Sequence, residues 1–188
     1  GAIVGTASVR RQALLRHYRP DLRIELLRGN INTRLAALAE GRYDAIILAM
    51  AGLRRLALDV PHTPLDPAIM PPAAAQGALA IQIRYGEDDR DWAVAEAIAG
   101  LNCAQASAEV TAERAMLAHL DGSCHTPIAA SATLGDDGTL HLDGMVLRPD
   151  GAAAHRASET APRQDAAALG KQLGARLLNA AGGRGFLA

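Results

Sequence analysis

Residues 1–48 carry the strongest indication of the fold and read GAIVGTASVRRQALLRHYRPDLRIELLRGNINTRLAALAEGRYDAIIL. Three short apolar segments occur in this stretch, at residues 3–4, 23–27 and 45–48. The segments between them are longer and have the capping and turn residues that are typical of helices. Strands that alternate with helices form a parallel sheet with right-handed crossovers. We therefore expect residues 1–58 to form a βαβαβα unit.

Capping and turn residues predict the boundaries of the helices in this unit. Thr6 or Ser8 can cap the first helix and Asn32 the second, because short polar side chains accept hydrogen bonds from the free amides of a helix start. Gly41 is expected at the end of the second helix, where glycine adopts the left-handed conformation. The continuous apolar run at residues 45–48 is typical of a strand that is buried on both faces.

The remainder of the chain has a different pattern, in which strands follow one another. Residues 59–72 are rich in Pro and lack periodicity, which predicts a linker. Further strands are predicted at residues 78–83, 128–134, 140–147 and 154–160, and further helices at 92–101, 107–120 and 165–179. Turn signals at residues 136–138 and 149–151 indicate hairpins between the last three strands. We therefore expect a small C-terminal α+β domain with a three-stranded antiparallel sheet.

The composition of the 188-residue chain is typical of a soluble globular protein. Charged residues make up 21% of the chain and the mean hydropathy is +0.05, values that exclude a disordered chain. No apolar run approaches the roughly 20 residues that a membrane-spanning helix requires. The sequence has no signal peptide, so we expect a cytoplasmic location. Because it starts at Gly1 and enters an apolar segment at once, we also expect a fragment of a longer protein.

The charge of the chain is unevenly distributed. Residues 1–55 carry ten Arg against four Asp or Glu, a balance of +6. The rest carries nine basic and sixteen acidic residues, a balance of −7, and the formal net charge is −1. This asymmetry indicates that the first part binds an anion, although an Arg-rich solvated surface would give the same pattern.

Polar and basic residues follow two consecutive predicted strands, at the edge where parallel sheets bind ligands. They are Thr6, Ser8, Arg10 and Arg11 after the first strand, and Arg28 and Arg34 after the second. Helix starts attract anions, and guanidinium groups bind carboxylates with two parallel hydrogen bonds. The phosphate-binding motifs GxxxxGK[ST] and GxGxxG are absent, which favours a polycarboxylate over a nucleotide. We expect neither a nucleic acid nor a membrane as partner.

The two cysteines, Cys103 and Cys124, are too few for a disulfide scaffold and form no CxxC pair. A zinc site made of Cys124, His125 and His119 would lack a second pair of ligands, so no metal site is expected. Cys124 follows Gly122 in a predicted loop. A cysteine in such a loop is either a nucleophile or attachment point, or an ordinary core residue, and the spacing leaves both interpretations open.

Six segments of the chain resemble the porphobilinogen deaminase family and occur in the order of that family. They are residues 5–12 (GTASVRRQ), 27–34 (LRGNINTR), 43–49 (YDAIILA), 75–78 (AQGA), 111–115 (TAERA) and 122–128 (GSCHTPI). Each segment alone is a weak signal, whereas the ordered set is specific. The resemblance implies an α/β domain like that of periplasmic binding proteins, with a parallel-dominated sheet, followed by a small C-terminal α+β domain.

The resemblance also implies a division of the chain into three parts. Residues 1–72 are similar to the family's second domain, an α/β domain that lines the cleft. Residues 73–105 resemble the segment that returns to the first domain, most of which is absent from this sequence. Residues 106–188 resemble the C-terminal domain that carries the cofactor cysteine. The missing N-terminal domain is therefore an expected partner.

Members of this family are transferases of tetrapyrrole, porphyrin and haem biosynthesis. They join four porphobilinogen molecules head to tail, with loss of ammonia, into the linear tetrapyrrole hydroxymethylbilane. The resemblance implies that Cys124 forms a thioether to a dipyrromethane cofactor, the primer on which the pyrrole chain grows. It implies that the carboxylates of cofactor and substrate are bound by Thr6, Ser8, Arg10, Arg11, Arg28 and Arg34, with Arg55, Gln76 and Gly77 as weaker candidates.

The sequence departs from the family pattern at three points. Ala7 stands where the family usually has a second Ser, and Ser123 stands where Gly is common. The family's catalytic Asp, its general acid and base, belongs to the first domain, upstream of this sequence. No catalytic residue is therefore assigned here, and we expect the chain alone to be inactive.

Two other hypotheses come from other classes of protein. A non-catalytic module that binds small anions would explain the βα pattern and the Arg residues but would give Cys124 no role. A protein-interaction scaffold is disfavoured because aromatic residues, the usual anchors of interfaces, make up only 3% of the chain.

Overall fold

The computed structural model of the chain describes residues 1–84, 86 and 88–187. Its first part is a parallel three-stranded sheet with the strand order β2-β1-β3. The strands are β1 (Ile3–Gly5), β2 (Arg23–Glu25) and β3 (Ala45–Ile46), and the helices are α1 (Val9–Tyr18), α2 (Ile31–Ala39) and α3 (Met50–Arg55). The predicted βαβαβα unit is therefore confirmed.

Two expectations about this unit are wrong. Asn30 rather than Asn32 caps α2: its backbone is extended (φ −76°, ψ 176°) and its side chain accepts a hydrogen bond from Thr33 N at 2.9 Å. The strand predicted at residues 45–48 is not buried on both faces. Among the described residues it pairs with β1 alone, so it is an edge strand, and Ala45 is exposed.

The second part of the molecule is an antiparallel sheet with the strand order β4-β5-β6. Its elements are α4 (Asp89–Ala99), α5 (Ala104–His119), β4 (Ile128–Leu134), β5 (Thr139–Leu147), β6 (Ala154–Pro162) and α6 (Ala166–Ala180), with short 3₁₀ turns at Arg163–Asp165 and Arg184–Leu187. This confirms the predicted three-stranded antiparallel sheet. No helix in the described ranges is both long and apolar enough to cross a membrane.

The larger hydrophobic core lies between the antiparallel sheet and the helices α5 and α6. Leu142 of β5, Met116 of α5 and Leu173 of α6 are fully buried in it. Gly170 allows α6 to approach α5 closely, because a Cβ atom at this position would lie 2.2 Å from Ala112 O. The two helices therefore pack backbone to backbone at this point.

Helix α1 joins the two parts of the molecule. Leu14 is fully buried and packs with Met145 and Leu147 of β5 in a second, smaller core. Near the end of α1, Arg16 Nη1 donates a hydrogen bond to Pro149 O at 2.8 Å. These contacts fix the direction of α1 relative to the antiparallel sheet, and hence the place of its first turn.

The strand predicted at residues 78–83 is absent from the structure. Leu79 is 88% exposed and Ile81 is 57% exposed. A strand needs a neighbouring strand to satisfy its hydrogen bonds, and none pairs with this segment in the described part of the chain. Trp92 of α4 and Leu101, which follows α4, are also exposed, at 62% and 68%.

Candidate functional site

A cleft of about 580 Å³ lies where four segments meet: the start of α1, the first turn of α2, residues 73–76 and the loop after α5. Five of the predicted anion-binding residues line it together with the weaker candidate Gln76 and with the predicted attachment residue Cys124. These five are Thr6, Ser8, Arg10, Arg11 and Arg34. The structure therefore brings most of the predicted site residues into one cleft.

Three of the predicted residues lie outside the lining of this cleft. Arg28 is exposed in the loop after β2, and Arg55 is exposed at the end of α3. Gly77 follows Gln76 with a φ of +97°, and a Cβ atom at this position would face open space. These three residues do not line the cleft, although Gly77 is the chain neighbour of Gln76.

The start of α1 presents hydrogen-bond donors to the cleft. Ser8 caps the helix, with its Oγ accepting a hydrogen bond from Arg11 N at 3.4 Å. Thr6 is 1% exposed, and its Oγ1 accepts from Ser8 N at 3.3 Å. The first amides of a helix have no partner within the helix and carry the positive end of its dipole. This helix start is therefore suited to an anion.

Arg10 is buried, at 6% exposure, and mainly binds the protein itself. Its Nη1 donates to Pro71 O, and its Nη2 donates to Gln76 Oε1 at 3.2 Å. Burial, followed by the charge of Arg11, lowers the pKa of Arg10 to about 10. Its buried Nε has no hydrogen-bond partner among the described residues. Arg10 thus holds residues 71–76 in place and keeps one donor unpaired.

Arg11 and Arg34 supply the uncompensated positive charge of the cleft. Arg11 Nη1 donates to Ile47 O at 3.3 Å, and Arg34 Nε donates to Gly29 O at 2.8 Å. Burial lowers the pKa of Arg11, and the charge of Arg34 lowers it further. No carboxylate in the described ranges forms an ion pair with Arg11 or Arg34. Because two like charges destabilise each other, an anion between them would be stabilising.

Cys124 lies in a short loop that is fixed by hydrogen bonds between its neighbours. Thr126 Oγ1 accepts from Ser123 N at 2.7 Å and donates to Ser123 O at 2.8 Å, and His125 N donates to Ser123 Oγ at 3.1 Å. Ser123 does not have a positive φ, so its side chain brings no backbone strain. Cys124 itself is exposed and forms no disulfide, which leaves its Sγ free at the edge of the cleft.

Two residues that organise the site have no role in the sequence analysis. Thr126 fixes the cysteine loop. Glu113, at 8% exposure, accepts hydrogen bonds from Ala75 N at 2.6 Å and from Ala132 N at 2.7 Å. The sequence feature that could have identified Glu113 is its position as a carboxylate on the apolar face of α5, three residues before the buried Met116. Its partners are 38 and 19 residues away in sequence, so the pattern could not identify them.

A second cleft, of about 490 Å³, lies on the open face of the antiparallel sheet. The carboxylates that line it are paired with arginines. Asp143 Oδ2 lies 2.5 Å from Arg156 Nη2, and Glu159 Oε1 lies 2.6 Å from Arg176 Nη1. The charges in this cleft therefore largely cancel, and the first cleft is the better candidate for an ion-binding site.

Comparisons with known proteins identify relatives of both parts of the chain. A family model described as porphobilinogen deaminase, dipyromethane cofactor binding domain, matches residues 1–92. A second model, described as porphobilinogen deaminase, C-terminal domain, matches residues 107–179. A porphobilinogen deaminase from Phenylobacterium zucineum (strain HLK1) is 47% identical over 190 aligned residues, which include 97% of this chain. The chain spans 58% of the length of that relative.

Proposed function

Because the chain belongs to the porphobilinogen deaminase family, we propose that its cleft holds dipyrromethane, joined to Cys124 through a thioether. The observation that carries this proposal is that the free thiol of Cys124 lines the same cleft as Arg11 and Arg34, which form no ion pair among the described residues. Dipyrromethane is the cofactor of the family domain that residues 1–92 match. Its pyrroles bear acetate and propionate groups, so the bound molecule is a compact polycarboxylate.

The residues of the cleft fit such a group chemically. The amides at the start of α1 and the guanidinium groups of Arg11 and Arg34 are donors that suit carboxylate oxygens. The buried Nε of Arg10 has no partner among the described residues. The thiol of Cys124 provides the point of covalent attachment. When bound, the cofactor supplies the terminal pyrrole carbon from which the chain grows.

The proposed activity of the whole enzyme is that of a hydroxymethylbilane synthase, a transferase of tetrapyrrole biosynthesis. It joins four porphobilinogen molecules head to tail and releases one ammonia for each addition. In this proposal Arg11 and Arg34 hold carboxylates of the growing pyrrole chain, and Thr6 and Ser8 shape the helix start that receives them. These residues bind and orient their ligand, and none of them transfers a proton.

We further propose that this chain alone binds pyrroles but does not polymerise them. Among the described residues that line the cleft there is no Asp or Glu. Guanidinium groups keep their protons near neutral pH, so they cannot act as the general acid and base of the reaction. The proton donor must then belong to another part of the family's longer chain.

Intact-mass spectrometry of the purified chain tests the attachment, after incubation with porphobilinogen and with the N-terminal domain of the relative as a separate polypeptide that supplies the proton donor. We expect a covalent gain equal to two pyrrole units in the wild type and in Cys103→Ser, and no gain in Cys124→Ser. Cys103 is the matched control because it is also exposed and free but does not line the cleft. A wild-type chain without the adduct, or an adduct that persists in Cys124→Ser, would contradict the proposal.

A second candidate function is a non-catalytic module that binds small carboxylates. The absence of any carboxylate from the described lining of the cleft favours it over an enzyme. The same experiment separates the two candidates, because such a module would bind porphobilinogen reversibly and without any change in mass.

A further inference from the structure

Glu113 is a buried carboxylate that the proposed chemistry does not use. It lies on α5, faces the core side of the helix, and is only 8% exposed. No Lys or Arg forms an ion pair with it in the described part of the chain. Burial of an ionisable group is unfavourable unless hydrogen bonds compensate for the lost water. The burial of Glu113 must therefore be explained by its hydrogen-bond partners.

The two oxygens of Glu113 bind two separate segments of backbone. Oε2 accepts from Ala75 N at 2.6 Å, and Oε1 accepts from Ala132 N at 2.7 Å. Hydrogen bonds to a carboxylate are stronger than those between neutral groups. Burial raises the pKa of Glu113 and these two donors oppose the rise. Glu113 therefore ties the segment before α4 to strand β4.

The segment that Glu113 holds has a strained turn. Ala75 adopts a φ of +60°, a conformation that is unfavourable for a residue with a side chain, and Gly77 adopts a φ of +97°. Such a turn persists only where its surroundings fix it. The hydrogen bond from Ala75 N to Glu113 is one contact that does so.

This turn also positions a residue of the cleft. Gln76 follows Ala75 directly, and its Oε1 accepts from both Arg10 Nη2 and Ala73 N, each at 3.2 Å. Gln76 and Arg10 both line the cleft, whereas Glu113 does not. Hydrogen bonds thus connect Glu113 through the turn to the guanidinium group beside the first turn of α1.

We propose that Glu113 is a positioning residue for the anion site, which fixes the turn at residues 73–76 and thereby holds Gln76 against Arg10. This inference rests on the proposed function for its effect on ligand binding. Its effect on the turn and on Arg10 does not depend on which anion the cleft binds.

The variant Glu113→Gln tests the proposal, with Glu109→Gln as the matched control. An amide has one acceptor oxygen, so one of the two backbone donors would face an NH₂ group. Glu109 lies one turn earlier on α5 and also accepts from a β4 amide, Leu134 N at 3.0 Å, but it does not contact the turn. Thermal melts identify a temperature at which both variants are folded, and all measurements are made there.

We expect amide hydrogen exchange at Ala75 and Gln76 to accelerate about tenfold in Glu113→Gln and to stay unchanged in Glu109→Gln. Phenylglyoxal modification of Arg10, followed by peptide mass, should accelerate by a similar factor. The affinity for porphobilinogen, measured by calorimetry, should fall about three- to tenfold. A residue that only stabilises the fold would lower the melting temperature and leave these three quantities unchanged.

Gln76→Ala provides a second route if Glu113→Gln does not fold. Gln76 is exposed and its removal leaves the core intact, so this variant tests the last link of the connection. It should expose Arg10 to phenylglyoxal without accelerating exchange at Ala132. Unchanged reactivity of Arg10 in either folded variant would overturn the proposal. A wild type that does not bind porphobilinogen would overturn the proposed function instead, and the exchange and modification data would still decide the role of Glu113.

Discussion

At the scale of single residues, the cleft owes its charge to Arg11 and Arg34. Burial lowers the pKa of Arg11, and the charge of Arg34 lowers it further, so the Arg11 cation is less stable in the presence of Arg34. Perturbed pKa values of this kind cluster at functional sites, where function is often favoured at the cost of stability. Substitution of one of these arginines should therefore affect anion binding and the stability of the fold differently.

The variant Arg34→Gln tests this separation. It removes the repulsion on Arg11 at the cost of one partly exposed hydrogen bond to Gly29 O. We expect the free energy of unfolding to change by less than about 1 kcal/mol. The affinity for porphobilinogen should fall about tenfold, because a charged contact to carboxylate is lost. Urea denaturation and calorimetry measure the two quantities. Arg54→Gln, at an exposed position on α3, should change neither, and an equal loss of affinity there would contradict this account.

The buried carboxylate of Glu113 makes a prediction about pH. Burial raises its pKa above the ordinary 4.5. At pH values between the unfolded and the folded pKa, the folded chain therefore keeps a proton that the unfolded chain has lost. Because the folded state binds more protons, the stability of the wild type rises as the pH falls through the raised pKa, and the gain is complete near the unfolded pKa. We expect the melting temperature of the wild type to increase relative to Glu113→Gln as the pH falls from neutral toward the ordinary pKa of 4.5. Glu109→Gln removes a charge that also raises the pKa of Glu113, so it should move this trend to lower pH. A constant difference between wild type and Glu113→Gln would refute the assignment.

Sequence patterns identified some of these residues and not others, for physical reasons. Arg11 and Arg34 lie just after predicted strands, and that local position predicts the edge at which they meet. The attachment of Arg10 to Pro71 could not be predicted, because its partner is 61 residues away. Arg28 also follows a predicted strand, yet it does not line the cleft.

At the scale of elements, the packing of α5 against α6 depends on Gly170. A Cβ atom there would lie 2.2 Å from Ala112 O and 2.8 Å from Met116 N, and backbone atoms of a helix cannot move aside as a side chain can. Gly170→Ala should therefore separate the two helices and lower the free energy of unfolding by about 3 kcal/mol. Urea denaturation measures this loss. Gly185→Ala is the control, since a Cβ atom at position 185 meets nothing within 4 Å, and a similar loss there would contradict the explanation.

The elements that could be predicted from sequence are those whose stability is local. The helices and the two hairpins carry their signals within a few residues, such as the glycines with positive φ at positions 138 and 151. The strand expected at residues 78–83 has a suitable apolar pattern but no neighbouring strand among the described residues. The run at residues 45–48 is apolar throughout, yet it forms an edge strand. The sequence of a single strand does not show how many neighbouring strands it has in the sheet.

At the scale of the whole molecule, the described residues of the ranges 78–84 and 88–101 have the character of an uncovered interface. Leu79, Trp92 and Leu101 are 88%, 62% and 68% exposed, whereas the residues of the two hydrophobic cores against the antiparallel sheet are buried. The chain spans 58% of the length of its Phenylobacterium zucineum relative, so the family has further residues that could cover this surface. Apolar surface of this kind is stabilised when another part of a protein covers it. We propose that the N-terminal domain of the family packs here and completes the cleft.

Trp92 makes this association measurable, because it is the single tryptophan of the chain. When the N-terminal domain of the relative is added as a separate, tryptophan-free polypeptide, the emission of Trp92 should shift to shorter wavelength as the indole loses contact with water. Condensation of porphobilinogen should begin in the same mixture, because the added domain supplies the proton donor that the cleft lacks. Burial of one leucine contributes about 1.5–3 kcal/mol, so Leu79→Asp should weaken the association at least about tenfold. Leu56→Asp, at a position that is 49% exposed at the end of α3, should leave it unchanged. An unshifted emission, or equal effects of the two substitutions, would place the partner on a different surface.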